Sequence, residues 1–325
     1  MRPLFILMFA AIAVLSATFG AKAQSCSVTS ITGNFGSVNV LSGAAVQTNF
    51  SFTVSCTGNA NATVQLCIEF NRGTLDGNQR ALTSGSNFLE FELYSNAGLT
   101  NIWGAWNGGN AGSSYPVTNG AGVSQTLTLN GSGSGSVTDT VYGVILASQQ
   151  TTIPGTYTWD HGAPYVGYAY SGTCPITSSK TNSATDLTAT VSSNCNVSTT
   201  ALNFGSSGAS ITSPIDSTAT ITAQCTDTTP YSIGLNSGAN ASGNQNRMLS
   251  GSSNYLTYNL YTNSGYSDPW TTTTSTTSCT GGANTCVLGT GTGANQNVTV
   301  YGQVPAQTAP ASGTYTDTVV VTVTF

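Results

Sequence analysis

The sequence contains very little charge: Asp, Glu, Lys and Arg together make up 5% of its 325 residues. The long charged side chains that stabilise surface helices are therefore scarce, which argues against a helical protein. The polar residues are mainly Ser, Thr, Asn and Gly, and Ser and Thr suit the solvent face of antiparallel sheets. Alternating apolar runs would supply the buried face, so the composition favours an all-β fold.

Basic residues are scarcer than acidic ones, six against eleven. Residues 1–23 contain Arg2, an apolar run from Leu4 to Phe19 and an Ala21-Lys22-Ala23 cleavage motif, which together predict a signal peptide. Without Arg2 and Lys22, four basic residues remain against eleven acidic ones, a net charge of −7. We therefore expect an exported acidic protein that does not bind nucleic acid.

Histidine is nearly absent, since His161 is the only one in the chain. A Ser-His-Asp site would need that histidine near a nucleophile, and the sequence contains no G-x-S-x-G motif. It also contains no C-x-x-C pair that would predict a zinc site. The sequence therefore predicts a protein that is not an enzyme and that holds no metal and no cofactor.

Two divergent copies of one unit account for most of the chain. The opening Cys26 to Asn34-Phe35-Gly36 returns 169 positions later as Cys195 to Asn203-Phe204-Gly205. Further matches relate Arg80 to Arg247, Trp103 to Trp270, the segment 87–96 to 254–263, and Gly155-Thr156-Tyr157-Thr158 to Gly313-Thr314-Tyr315-Thr316. We expect a first domain over residues 24–182, a linker over 183–194 and a second domain over 195–325.

The eight cysteines divide equally between the two copies, which predicts disulfides in an exported chain. The repeated spacing of 30 positions supports Cys26–Cys56 and Cys195–Cys225. Elimination leaves Cys67–Cys174 and Cys279–Cys286, although the sequence does not fix this connectivity.

Short alternating runs between turn residues predict strands at the spacing of a β-sandwich. In the first copy these are Gln47–Cys56, Thr63–Phe70, Phe88–Ser95, Gln125–Leu129, Thr140–Leu146 and Gly155–Tyr170. In the second copy they are Ala219–Cys225, Tyr231–Leu235, Tyr255–Thr262, Asn297–Val304 and Thr314–Phe325.

The Cys-x7-Asn-Phe-Gly opening, the second cysteine, the Leu-Tyr-x-Asn strand and the Gly-Thr-Tyr-x-Asp ending resemble the spore coat protein U domain of archaic (Csu-type) chaperone–usher pili. Both copies carry the resemblance, and two domains behind a signal peptide are similar to the tip adhesin. The resemblance implies two tandem immunoglobulin-like (pilin-type) β-sandwiches, the second lacking its final strand. It also implies four partners: a periplasmic pilus chaperone, an outer-membrane usher, an adjacent pilin subunit that donates a strand, and an abiotic or host surface.

An incomplete sandwich needs a strand whose apolar side chains fill its groove. Leu187, Ala189 and Val191 lie on one face of a segment upstream of the second copy, and we expect them to complete the first domain in cis. Filling such a groove with four or five side chains stabilises by roughly 6–15 kcal/mol. Only Gln24 and Ser25 would precede Cys26 in the mature chain, so we expect the protein to receive a strand and offer none, at the pilus tip of a Gram-negative bacterium.

The terminal strand alternates apolar residues, and the resemblance implies that it pairs with the chaperone through Val319, Val321, Val323 and Phe325. Hydrophobic loops of the first domain would bind surfaces and support biofilm formation, as the resemblance implies. The candidates are Ile102, Trp103, Trp106, Tyr115, Pro116, Val117, Pro164 and Tyr165. Trp103 has a counterpart in Trp270, which favours core packing for that residue. The alternatives are a structural pilus-shaft or surface-coat protein without adhesive role, and a glycan-binding lectin.

Overall fold

A computed structural model describes residues 23–70, 75–76, 79–105, 121–162, 164–176, 178–273, 275–282 and 284–325. For residues 75–76 and 160–162 only the main chain is described. The segment 1–22, which contains the predicted leader, lies outside these ranges. Among the described residues, no helix combines the length and the apolar character needed to cross a bilayer.

The first copy is built from thirteen strands and one 3-10 turn, Val40–Ser42. The strands are β1 Ser25–Val28, β2 Ile31–Val38, β3 Val46–Thr57, β4 Thr63–Phe70, β5 Leu75–Asp76, β6 Gln79–Ser84, β7 Asn87–Tyr94, β8 Val123–Thr128, β9 Ser134–Ile145, β10 Gly155–Gly162, β11 Pro164–Ala169, β12 Lys180–Asn182 and β13 Thr185–Val191.

These strands form a two-layer sandwich. The larger sheet has the order β1-β3-β9-β7-β6-β10-β13-β2, with β5 beside β6, and the smaller one has the order β12-β11-β4-β8. One apolar core lies between the sheets, because alternate residues of each strand point inward. Phe52 and Phe70 contact Trp103 edge-on or tilted, and Phe91 contacts Trp159 in the same core.

The second copy repeats this arrangement with ten strands. They are β14 Cys195–Thr199, β15 Ser210–Ile211, β16 Ile215–Cys225, β17 Pro230–Leu235, β18 Asn246–Ser250, β19 Asn254–Tyr261, β20 Val287–Thr290, β21 Asn295–Val304, β22 Gln307–Thr308 and β23 Val321–Thr324. The sheets are β14-β16-β21-β19-β18, β20-β17-β23 and the pair β15-β22, around a separate core. The predicted all-β fold with two tandem immunoglobulin-like sandwiches is confirmed.

Several predicted strands were wrong in extent: β9 begins six residues and β16 four residues before the predicted starts at Thr140 and Ala219, and two others differ more. The single strand expected over Gly155–Tyr170 is two strands, β10 in the larger sheet and β11 in the smaller one. The chain passes from one sheet to the other between Gly162 and Pro164. Glycine tolerates a sharp bend, and proline has no N–H group with which to continue the hydrogen-bond ladder of β10. In the second copy, the strand expected over Thr314–Phe325 is regular only in β23.

The structure contains the two disulfides that the repeat supported, Cys26–Cys56 and Cys195–Cys225, and it settles the connectivity that the sequence left open as Cys67–Cys174 and Cys279–Cys286. The two bridges at equivalent positions join the first strand of each copy to the strand beside it, β1 to β3 and β14 to β16. The bridge Cys67–Cys174 links β4 to the segment that follows β11. The cysteines therefore hold each copy independently.

Candidate functional site

Strand β13 fills a groove at one edge of the first copy. It pairs antiparallel with β10 and parallel with β2, so it lies between them as an inner strand of the larger sheet. Leu187, Ala189 and Val191 are 0%, 0% and 2% exposed, and all three belong to the core of the first copy. The segment predicted to complete the first domain therefore lies in the groove of that domain.

In the second copy the same place is an open groove. The counterparts of β2 and β10 are residues 200–207 and 313–319, by the sequence correspondence given above. Neither segment forms a regular strand, and no strand of the described residues lies between them. They border a groove of about 400 Å³, here called the open groove. Its apolar lining includes Leu202, Phe204, Leu235, Met248, Leu260, Val300, Val319 and Val321.

One edge of the open groove carries main-chain groups without partners. Thr316 exchanges hydrogen bonds with Leu249, and the carbonyls of Thr318 and Val320 accept from the main-chain N–H groups of Ala239 and Asn236. The alternate residues Tyr315, Asp317 and Val319 point their N–H and C=O groups toward the groove, because successive peptide groups of an extended chain face opposite sides. Within the described part of the chain, these N–H and C=O groups make no hydrogen bond. An exposed edge of this kind is a template for another strand.

The three-dimensional packing supports the correspondence between the two grooves. Phe35 contacts Phe91 with ring centroids 6.2 Å apart, and their counterparts Phe204 and Tyr258 are 6.0 Å apart. The difference is exposure: Phe35 is buried in the core that includes β13, whereas Phe204 is only half-buried. The open groove is therefore the groove of the first copy without its occupant.

The terminal segment borders the open groove only in part. Val321 and Val323 lie in β23, opposite Leu235 and Ile233 of β17, and both are half-buried. Val319 is half-buried at the groove edge, and the Phe325 side chain is 49% exposed. Of the four residues expected to bind the chaperone, Val319 and Val321 thus line the groove, while the other two do not.

A buried ion pair of the first copy joins two described positions. The Arg80 guanidinium is paired with the carboxylate of Glu92, and it also donates to the carbonyls of Phe70 and Trp103 at 3.2 and 2.9 Å. Phe70 is the last residue of β4, and Trp103 forms a bridge with Ala121. Phe70 and Trp103 are therefore fixed relative to one another, because one buried cation contacts both.

The residues predicted to contact a surface are distributed unevenly. Trp103 is 2% exposed, and its indole nitrogen donates to the Ile68 carbonyl. Trp103 is therefore a core residue, as its equivalence to Trp270 in the second copy had favoured. Pro164 is also buried, in the pairing of β11 with β4, whereas Ile102 and Tyr165 are half-buried. The burial of Trp103 and Pro164 removes both side chains from any contact surface. The other four predicted residues lie outside the described residues: Trp106, Tyr115, Pro116 and Val117.

Sequence reasoning missed the polar residues of the open groove. Asp317 lines it, and its carboxylate accepts from the Tyr258 hydroxyl at 2.7 Å and from the Asn240 main-chain and side-chain nitrogens at 3.0 Å each. Burial, and then the hydrogen bond to Asp317, raises the pKa of the Tyr258 hydroxyl. The internal repeat did contain a signal for these two residues. The first copy has the apolar Trp159 and Phe91 at the positions of Asp317 and Tyr258, so the change to polar side chains is visible in the sequence.

Comparison with solved structures identifies chains that have a similar fold. One chain comes from the chaperone–tip adhesion subunit pre-assembly complex CsuC–CsuE of archaic chaperone–usher Csu pili of Acinetobacter baumannii. It is 19% identical, with 93% of this chain and 100% of that chain covered and a TM-score of 0.53. A chain from a chaperone–tip adhesin complex of CFA/I fimbriae biogenesis is 9% identical over 90% of this chain and 95% of its own length, with a TM-score of 0.28, too low to support an argument. Among curated proteins, none matches the sequence significantly.

The family comparison covers both copies. The profile of the Spore Coat Protein U domain matches residues 11–159 and again residues 181–322. The two matched regions agree with the internal repeat, and together they span most of the sequence. The chain therefore belongs to the Spore Coat Protein U domain family.

Proposed function

We propose that the protein is a subunit of a chaperone–usher pilus, and that the open groove of its second copy accepts a β-strand from the next pilin. The observation that carries this proposal is the difference between the two grooves. In the first copy β13 lies between β2 and β10, whereas in the second copy the equivalent segments border an empty groove. A periplasmic chaperone covers the groove before assembly, and an outer-membrane usher exports the subunit to the cell surface. The role is structural and adhesive, without catalysis.

The energy available from filling the groove suits such an assembly. A donor resembling β13 would bury one leucine, one alanine and one valine side chain, as Leu187, Ala189 and Val191 are buried in the first copy. These contribute about 5 kcal/mol, from about 2–3 kcal/mol for each larger side chain and about 0.8 kcal/mol for a methyl group. Pairing of the three unpartnered residues at the groove edge adds hydrogen bonds of about 1 kcal/mol each. The total is comparable with the net stability of a domain.

A fused donor strand tests the acceptor function. The mature chain is extended after Phe325 by a flexible linker and a copy of Thr185–Val191, and hydrogen exchange is followed by mass spectrometry. We expect the amides of Tyr315, Asp317 and Val319 to exchange at least about 100-fold more slowly with the donor than without it. The control donor carries Ser at the positions of Leu187, Ala189 and Val191, and the equivalent amides of β10 serve as an internal reference. Unchanged exchange at residues 315–319 would refute the acceptor function.

The use of β13 within its own chain supports a position at the pilus tip. This segment pairs within its own chain, so it is not free to complete another subunit. Cleavage after Ala23, as the signal-peptide motif predicts, would leave Gln24 and Ser25 ahead of the disulfide-bonded Cys26. An epitope tag on the first domain should therefore appear at filament ends in electron micrographs. Regular labelling along the shafts would contradict the tip position.

Surface attachment is the proposed role of the segment that follows Trp103. Its aromatic candidates are Trp106 and Tyr115, while Ile102, next to Trp103, and Tyr165, in β11, are half-buried. Each half-buried aromatic contact contributes about 2 kcal/mol, so firm attachment depends on many pili acting together. Replacing Trp106 and Tyr115 with Ser should reduce adhesion to plastic and biofilm formation while the number of pili stays the same. Unaltered adhesion would place the contact surface elsewhere.

A further inference from the structure

One position of the groove differs in chemistry between the two copies. In the first copy Leu187 of β13 lies beside Trp159 of β10, and Trp159 contacts Phe91 with ring centroids 5.1 Å apart. These three side chains are 0–1% exposed. The first groove therefore receives Leu187 beside two buried aromatic rings, and neither of these two positions carries a charged group.

In the second copy the equivalent pair is polar. Asp317 stands where the first copy has Trp159, and Tyr258 stands where it has Phe91. Both changes occur together, and the two side chains are joined by the hydrogen bond from the Tyr258 hydroxyl to Asp317 Oδ2 at 2.7 Å. Gly238 makes room for this carboxylate, because a Cβ at that position would lie 1.8 Å from Asp317 Oδ2. The local backbone is thus shaped around the carboxylate.

The carboxylate of Asp317 has one acceptor site left for an incoming strand. A carboxylate accepts about four hydrogen bonds. Three sites are used, two on Oδ1 by the nitrogens of Asn240 and one on Oδ2 by Tyr258. A strand that fills the groove would bury this charged group more deeply, and burying a charge is unfavourable unless further hydrogen bonds compensate. An apolar side chain beside Asp317 would supply no such hydrogen bond.

We infer that Asp317 forms a polar subsite that selects the donor strand, which carries a small hydrogen-bond donor, threonine or serine, where β13 has Leu187. This inference rests on the proposed acceptor function and specifies the chemistry of the partner. The lining of the open groove also contains apolar side chains, among them Leu202, Leu235 and Val300, so the donor keeps apolar residues at the positions of Ala189 and Val191. Asp317 thereby distinguishes the partner pilin from the chain's own β13 segment.

The experiment compares two fused donors in two grooves. One donor is the copy of Thr185–Val191, and the other is the same copy with Leu187→Thr. Each is fused to the full mature chain and to the variant Tyr258→Phe/Asp317→Trp, which recreates the apolar pair of the first copy. Hydrogen exchange of the amides at residues 315–319 reports occupancy. Exchange at residues 155–159 of the first copy is the reference for intact folding.

We expect the ratio of protection by the threonine donor to protection by the leucine donor to fall at least about tenfold from the native groove to the variant groove. A purely structural role of Asp317 would lower both protections equally and leave the ratio unchanged, which would overturn the inference while the acceptor function stands. If neither donor protects these amides in the native groove, the acceptor function and the inference both fail. Should the double variant not fold, Asp317→Leu replaces it, with the same expected direction and the same overturning result.

Discussion

Shortening Leu187 tests whether β13 is a permanent part of the first domain. Its side chain is 0% exposed, and Leu187 pairs with Trp159 of β10 on one side and with Gly33 of β2 on the other. Leu→Ala at such a site costs about 2–5 kcal/mol. For a domain of this size, each kcal/mol lowers the melting temperature by about 2–4 °C. Leu187→Ala should therefore lower the melting temperature of the first domain by about 5–15 °C.

Scanning calorimetry of the mature chain measures this shift, and hydrogen exchange at residues 155–159 and 315–319 assigns each transition to its domain. Thr190→Ala is the matched control, because Thr190 lies in the same strand with its side chain exposed. We expect the control to change the melting temperature by no more than about 2 °C. Equal shifts for the two variants, or a shift confined to the second domain, would refute the assignment of β13 to the first groove.

Three further substitutions probe the two copies. Arg80→Met removes the cation from Glu92, which is 6% exposed, and should destabilise the first domain by about 3–5 kcal/mol in urea unfolding. Tyr258 has a pKa raised above 10.0 by burial, so the stability from its neutral hydroxyl is complete below pH 10 and is lost as the pH rises further. Unfolding measured from pH 8 to about 11 should show a steeper loss for the native second domain than for Tyr258→Phe. Gly33→Leu should destabilise the first domain, because a Cβ there lies 2.5 Å from the Phe50 ring, and adding Phe50→Ala should recover part of the loss.

The internal repeat predicted much of the architecture because the residues that the two copies share, such as cysteine and tryptophan, have strict geometric requirements. The cysteines at equivalent positions pair across neighbouring strands, where Cα atoms 4.1 Å apart permit a disulfide. The counterpart of Trp103 in the second copy correctly indicated a core residue. The buried alternation of Leu187, Ala189 and Val191 likewise follows from the period of a strand. These predictions needed only local pattern and the comparison of two copies.

The errors arose where tertiary pairing decides the structure. The segment Gly155–Tyr170 has the alternation of one strand, but its two halves belong to different sheets. Residues 315–319 also alternate, yet they lack a regular ladder because a partner is missing on one edge. Asp317 was missed because an acidic residue in an alternating run is typical of a solvent face. Its contact with Tyr258, 59 positions away, is not visible in local sequence.

An open groove can also pair with the wrong strand, and the polar subsite at Asp317 affects this risk. The edge at Tyr315, Asp317 and Val319 would pair with any extended apolar chain that reached it, including a second copy of the same edge. Proteins protect such edges with charged side chains that point inward, because pairing then buries the charge unless the partner supplies a hydrogen bond. The first groove needs no such protection, since β13 is tethered to it by the chain, and there the position is occupied by Trp159. In the proposed assembly, the change from tryptophan to aspartate between the copies reflects occupancy: a permanently filled groove maximises apolar contact, whereas a groove that exchanges its occupant must reject the wrong strand.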